Sequence, residues 1–586
     1  MSQHWREAGL VTVIAGVCAA GIVAATRSSY FYADDWLNLA HAREFGMSWH
    51  YLQLSYFGHF APVHRVLDWL WAVQFPINWT AYLAVMVVLH ATAVVATYVL
   101  LRVLRCRVLL AAIATAMFAS SVVWVRIIQW PASSHHVAWG LAATAVSLAA
   151  SMRWFQRRSP WLVALAAAAM VAGLLSYEKP VLIVMYVVLL RYLVLAPSLR
   201  PRALLAQARA DWPLLAVLFG VAAVYYVVVL QAGGYGTVAQ RPSAGQMLEF
   251  LRWNWLRGTG SLVIGQAQVN PGDPIPRSLV IAAQVVIAAA VVVSTMHRRR
   301  AWRAWTFLFV SWLVNLGLIG LSRIVDFGTG VGLDPRYNAE MALLLPLALA
   351  LAFVAPDAGD APAAATRRPP IVATALPVAV GAMLLTASCV NAYQRVERSW
   401  AGARAQAWVD EVLATAPPLR GPDGRVSVID AKAPFDVVAA GFPPYDRLSA
   451  VLPLVLDDGA DFDGGGERPA VVEPDGSLRP ARLLPVWAGR FPAQECGPGV
   501  LRRTVDNGGE ERPGLVRVGV QAPEHAAQID IRADYGSDGK VLLSPIRLAA
   551  GGEAGGVAAE MKGLRALELA LPAGVCVHSL ATVLAD

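Results

Sequence analysis

Asp34 and Asp35 stand side by side in Tyr30-Phe31-Tyr32-Ala33-Asp34-Asp35-Trp36, directly after the first long apolar run of the chain. Two carboxylates at a membrane face are costly unless they are solvated or used. A low-dielectric phase nearby raises the pKa of at least one, as a general base requires. The pair also suits a local task, capping a helix that runs from Trp36 to Phe45. The same segment continues as Gly58-His59-Phe60-Ala61-Pro62-Val63-His64-Arg65. His59, His64 and Arg65 are suited to hold a phosphate or to orient a carboxylate. Together with Asp34 or Asp35, the histidines also make a possible divalent-cation set. The competing reading is an interfacial turn kinked at Pro62, with basic side chains reaching water.

Two later motifs carry similar chemistry. Glu178 and Lys179 lie in Ser176-Tyr177-Glu178-Lys179-Pro180, between two apolar runs. Arg336 and Tyr337 lie in Asp334-Pro335-Arg336-Tyr337, just before another run. Arg323 stands at the end of the run before that, with Asp326 close by as a possible surface partner. His135-His136, and Arg241, Arg252 and Arg257, read as solvated turn and loop charge or as further substrate contacts.

These residues need elements to position them. The chain has 586 residues, of which 57% are hydrophobic and 15% charged. Ordinary soluble proteins are about 25% charged. The composition therefore predicts a polytopic α-helical membrane protein, because lipid leaves no other way to satisfy the backbone. Eleven spans are expected, at 8–26, 81–101, 108–126, 137–151, 160–176, 180–195, 213–231, 278–296, 304–321, 338–355 and 371–390. Trp49, Trp79, Trp130 and Trp212 flank such runs, as an interfacial belt would place them. The first run also resembles a signal peptide, but it is long for one, and it is read as the first span.

The net charge of +8 does not point to nucleic acid, because its arginines sort into short loops between spans. Arg6, Arg102, Arg105, Arg107, Arg153, Arg157, Arg158, Arg191, Arg200, Arg298 to Arg300 and Arg367 fall on one side. The positive-inside rule makes that side cytoplasmic. The N-terminus is then inside, while 27–80, 232–277 and the tail from Asn391 lie outside a multi-pass plasma-membrane protein. Residues 232–277 are expected to be an interfacial, partly helical segment, mobile until substrate binds.

The tail, 391–586, reads as a soluble α/β region with a β-sandwich from about 466. An amphipathic helix is expected at 392–414, and strands at Arg425–Asp430, Leu515–Val520 and Gln528–Ala533. Cys496 and Cys576 are the two exported cysteines, so compartment predicts a disulfide between them; two buried thiols are the alternative.

The acidic pair after the first span, the long first loop, the Glu-Lys turn and the Arg-Tyr pair opening a late span resemble the GT-C class of membrane glycosyltransferases. That class includes protein O-mannosyltransferases, aminoarabinose transferases and the arabinofuranosyltransferases of actinobacterial cell walls. The resemblance covers most of 8–355 as architecture and these short motifs as sequence. The tail, ending in Val575-Cys576-Val577-His578-Ser579, is similar to the carbohydrate-binding-like β domains of actinobacterial members. The resemblance implies a sugar donor on a polyprenyl phosphate, and a glycan, lipid or protein hydroxyl as acceptor. It makes Asp34 the catalytic acid or base, with Asp35 next. His59, His64, Arg65, Glu178, Lys179, Arg323, Arg336 and Tyr337 would contact substrate or phosphate, and a divalent cation stays open. A flippase for lipid-linked sugars and a non-catalytic glycan-binding protein are the competing readings. The few charges inside the apolar runs weigh against the flippase.

Overall fold

The computed structural model describes residues 3–54, 59–231, 241–266, 274–353, 402–438, 444–462 and 469–481. In the C-terminal part it describes 483–496, 498–505, 513–521, 527–535, 540–543, 546–548, 554–560, 564–572 and 575–585. The chain forms two compact units. One comprises Met1–Ser29, Phe45–Trp69 and Asn78–Trp400, and the other Tyr30–Glu44, Leu70–Ile77 and Ala401–Asp586. The first external loop of the sequence reading is thus shared between them, with Asp34 and Asp35 in the second unit.

The first unit is a helical bundle. Its helices are α1 (Gln3–Thr26), α3 (Trp49–Gln53), α4 (Pro62–Trp69), α5 (Trp79–Val103), α6 (Val108–Ala119) and α7 (Val122–Ile128). They continue as α8 (Pro131–Arg157), α9 (Pro160–Leu174), α10 (Ile183–Leu189), α11 (Pro201–Gln231), α12 (Ala244–Trp253), α13 (Arg277–His297), α14 (Ala301–Phe327) and α15 (Ala339–Phe353). The second unit holds α2 (Asp34–Phe45), which runs one residue into the first, and α16 (Gly402–Thr415) and α17 (Leu448–Val455).

Among the described residues, seven helical segments are long and apolar enough to cross a membrane. They are Trp5–Thr26, Trp79–Val103, Val108–Ile128, Pro201–Gln231, Arg277–Met296, Ala301–Phe327 and Pro335–Phe353. The expected count of eleven is not confirmed among the described residues, and the physical reasons are local. The span expected at 137–151 belongs to α8, which is 27 residues long but opens with Ser133, Ser134, His135 and His136. The span expected at 160–176 is the 15-residue α9, about 22 Å long and short of a 30 Å hydrocarbon core. The span expected at 180–195 is broken into a 3₁₀ turn at Lys179–Leu182, α10, and a π turn at Leu190–Val194. The span expected at 371–390 lies outside the described residues.

Helix α8 is the centre of the bundle and packs against both α5 and α9. Gly173 permits the second contact. A Cβ there would sit 2.8 Å from the Ala143 Cβ and 2.9 Å from the Pro180 Cγ, too close for any real side chain. The approach fixes the turn that carries Glu178 and Lys179. In the long loop, residues 244–264 are helical, and a reciprocal bond between Ser243 and Gln246 caps α12. The expected role of Arg252 and Arg257 as loop charge is modified, because both guanidiniums lie near the Trp253 ring, at 5.6 and 4.4 Å.

The second unit ends in two antiparallel sheets. One is ordered Ala554–Glu560, Pro513–Gln521, Cys576–Ala585, Leu483–Cys496; the other Ile546–Leu548, Ala527–Asp534, Ala566–Leu571, Gly499–Thr504. Val516, Val518 and Val520 from the first share one core with Ile529, Ile531, Leu567 and Leu569 from the second. That alternation is what a two-sheet sandwich requires. Cys576 stands directly opposite Cys496 in the strand register. The strand expected at Arg425–Asp430 shortens to Val426–Ser427, because its end turns to bind side chains: Asp430 accepts from Arg447 and from the Ser449 N–H, at 2.7 and 2.9 Å. The helix expected at 392–414 is α16 within the described residues.

Candidate functional site

Four separate segments of the first unit bring their polar residues together around the ends of α4, α8, α9 and α14. His59 is the first link. Its Nε2 lies 2.6 Å from an Arg323 Nη2, and its Nδ1 lies 2.8 Å from Glu178 Oε2. A guanidinium only donates, so Nε2 accepts and Nδ1–H donates to the carboxylate. Burial raises the Glu178 pKa, but the contact with His59 outweighs it and leaves the group below its ordinary value. Three expected residues, His59, Glu178 and Arg323, therefore form one chain.

Lys179 is held differently. Its ammonium donates to Glu340 Oε2 at 3.0 Å, and the same carboxylate accepts from Tyr177 and Asn315 at 3.0 and 3.1 Å. Lys179 and Glu340 are both buried. The expected phosphate contact thus has a resident anion, and its role in the fold is to pin the Glu-Lys turn to α15.

Arg336 belongs to a third group. Its Nε is 3.3 Å from Asp334 Oδ2, and an Arg126 Nη2 is 3.4 Å from the same oxygen. Both guanidiniums lie near the Trp130 ring, at 4.3 and 5.7 Å from its centre. Tyr337 joins through its hydroxyl, 3.3 Å from an Arg336 Nη2. Asp334 caps the Pro335–Asn338 turn by accepting the Arg336 N–H at 3.1 Å, which fixes this arrangement at the entry to α15. Burial raises the Asp334 carboxyl, and Arg126 and Arg336 more than reverse that, so its pKa is lowered from 3.8. A depressed carboxylate contributes stability above its unfolded value and loses it as pH falls through the folded one. Asp334→Asn should therefore melt below wild type near neutral pH, with the gap closing as pH drops under 3.8. Thermal denaturation of both proteins across pH checks this, and a gap that stays constant would contradict it.

His64 and Arg65 lie on α4, both buried. His64 meets His136 through Nδ1, and its Nε2 is 3.1 Å from Asp68 Oδ2. Burial pushes the His64 imidazole down to about 4, against the pull of Asp68. Arg65 lies 3.6 Å from Asp68, and its carbonyl accepts from the Tyr51 hydroxyl at 3.1 Å. His135 Nδ1 is 3.0 Å from the other Asp68 oxygen. His135, buried, and His136, half-buried, are therefore neighbours of the α4 histidine and not a solvated turn.

Within the second unit the acidic pair divides its labour. Asp35 is 2% exposed, and its carboxylate accepts the Tyr32 N–H at 2.7 Å, closing the first turn of α2. Asp34 opens that helix and is half-buried. Ala33, just before it, has φ +57 and donates its N–H to the Val437 carbonyl at 3.0 Å. A left-handed non-glycine residue costs on the order of 1–2 kcal/mol, so surrounding contacts hold Ala33, just before α2, in a conformation the local chain does not favour.

Sequence reasoning did not single out Arg126, Asp68, Asn315 or Glu340, and read Trp130 as an interfacial anchor alone. Glu340 and Arg126 carried a usable signal, since each is a lone charge within an apolar run. Asp68 and Asn315 carried none beyond polarity.

Fold and site together define a helical membrane protein with clusters of buried and half-buried ion pairs. No protein-family model matches the chain, and no curated protein matches it. Among solved structures it is similar to ArnT from Cupriavidus metallidurans, at 13% identity and a TM-score of 0.45, over 77% of this chain and 85% of that one. It is also similar to the arabinofuranosyltransferase AftD from Mycobacteria, at 14% identity and a TM-score of 0.41. The arabinosyltransferase EmbB from Mycobacterium smegmatis is matched at 14% identity and a TM-score of 0.31. This chain spans 58% of AftD and 65% of EmbB.

Proposed function

We propose that the protein is a membrane glycosyltransferase that moves a sugar from a polyprenyl-phosphate donor to a hydroxyl of a cell-envelope glycan, lipid or protein. The observation that carries this reading is the convergence of Arg126 and Arg336 on Asp334 and Trp130. The two guanidiniums stand beside an aromatic surface. A departing phosphate needs positive charge around it more than it needs a proton. Arg323, anchored through His59, is a further cation of this kind.

In the proposed reaction Asp34 takes the proton of the acceptor hydroxyl. The acceptor oxygen bonds to the anomeric carbon while the bond from that carbon to the phosphate oxygen breaks, and the electron pair leaves with the phosphate. One displacement inverts the anomeric centre. Retention by a nucleophilic carboxylate needs two acids set across the sugar, and adjacent Asp34 and Asp35 are not spaced for that. Asp34 is assigned as the base because it is the half-buried member of the pair, whereas Asp35 is 2% exposed.

The same reading puts the reaction on the external face, the N-terminus in the cytoplasm, and the 391–586 region outside, with a Cys496–Cys576 disulfide and a glycan-recruiting sandwich. A pentose or a hexose fits the chemistry equally well.

Arg336→Ala tests the carrying observation. A charge-assisted hydrogen bond contributes about 1.5–3 kcal/mol, so polyprenyl-phosphate binding should weaken roughly 10- to 100-fold. Equilibrium binding of a labelled polyprenyl phosphate to purified protein measures it. Unchanged affinity in Arg336→Ala and in Arg126→Ala would remove the phosphate role.

A further inference from the structure

We propose that His64, Asp68 and His135 form a binding site for a zinc-like transition-metal ion that ties α4 to α8. One ligand atom from each residue lies within 4.8 Å of the others, and all three side chains are buried. Their exposures are 2%, 3% and 1%.

The arrangement has the geometry of a ligand set. His64 and Asp68 are four residues apart on α4, so helical periodicity puts them on one face. His135 enters from the first turns of α8. His64 Nε2 stands 3.1 Å from Asp68 Oδ2, and His135 Nδ1 stands 3.0 Å from Asp68 Oδ1. Ligands about 2.0–2.2 Å from a tetrahedral ion lie a little over 3 Å apart.

A second observation is independent of the distances. His64 Nε2 and Asp68 Oδ2 are both fully buried, and neither has a hydrogen-bond partner. They are close but not aligned to bond each other. Buried polar atoms are almost always satisfied by an aligned hydrogen bond, which this 3.1 Å ion pair does not supply. A cation between them satisfies both at once.

The remaining contacts fit the same reading. Metal-bound imidazoles usually have their second nitrogen held by another group. His64 Nδ1 is held by His136. A set of two imidazoles and one carboxylate favours zinc or a neighbouring first-row metal over magnesium or calcium, which prefer oxygen. The fourth position falls to water. The site uses neither Asp34 nor Asp35, and the inference does not depend on glycosyl transfer.

The test uses the full-length protein in detergent, purified without chelator and dialysed against buffer holding zinc at a controlled free concentration. Elemental analysis should give about one zinc per chain. Cobalt(II) loaded in its place should show the intense visible absorption of a low-coordinate site. Asp68→Asn and His135→Ala should weaken zinc binding at least 10-fold, while His50→Ala, at an exposed histidine, should retain it. No stoichiometric zinc in wild type, with no cobalt spectrum, would overturn the proposal whether or not the variants fold. Stoichiometric zinc equal in all variants would overturn it as well, by placing the metal elsewhere.

Discussion

Membranes carrying Asp34→Asn are expected to lose sugar transfer by about 10²–10⁴-fold in kcat, the range a positioned general base contributes. Donor binding and protein abundance should stay near wild type, because Asn keeps the size and polarity of the side chain. The neighbouring substitution should behave differently. Asp35 accepts the Tyr32 N–H at 2.7 Å, and an Asn in its place still offers an acceptor oxygen. Asp35→Asn should therefore retain most of the activity, while Asp35→Ala should cost about 1 kcal/mol of local stability through the lost hydrogen bond to the Tyr32 N–H. The comparison separates chemistry from folding within one dipeptide. Equal loss of kcat in both Asn variants would mean that the two carboxylates act together. Full activity in Asp34→Asn would end its assignment as the base.

The largest expected effect on stability is at Glu340. Its carboxylate carries the Lys179 ammonium, the Tyr177 hydroxyl and the Asn315 amide, all within 3.1 Å. Glu340→Ala leaves Lys179 as an uncompensated buried charge, and removal of one partner of such a pair costs about 3–5 kcal/mol. Replacing both, as Lys179→Met with Glu340→Leu, should recover most of that, since two apolar groups leave no charge behind. Thermal denaturation in detergent reads both variants. A Glu340→Ala protein as stable as wild type would mean that water reaches Lys179, and the turn would then be open to substrate phosphate after all.

The membrane class and the tail sandwich were legible in the sequence because each rests on a repeating signal. Long apolar runs mark helices, and the alternation of Val516, Val518 and Val520 marks a buried strand face. The number of spans was less legible. Apolar composition at 180–195 said nothing of the 3₁₀ and π turns that break that segment, and the polar start of α8 lowered its hydropathy without shortening it. Within the site, the residue types were readable and the partnerships were not. Glu178 and Lys179 are neighbours in sequence, yet one pairs with His59 and the other with Glu340, at separations of 119 and 161 residues. His135-His136 read as a solvated turn because nothing local revealed the α4 helix beside it. Asp34 and Asp35 looked equivalent, yet Asp35 is buried with its carboxylate on the Tyr32 N–H while Asp34 is half-buried.

The most direct measurement gives wild-type membranes a panel of radiolabelled polyprenyl-phosphate sugars, with native cell-envelope material as acceptor. The label that enters polymer is then counted. The proposed function predicts transfer from one donor, releasing unlabelled polyprenyl phosphate in step. Labelled lipid that crosses between leaflets with its sugar still attached, and no label in polymer from any donor, would contradict it and identify a transporter.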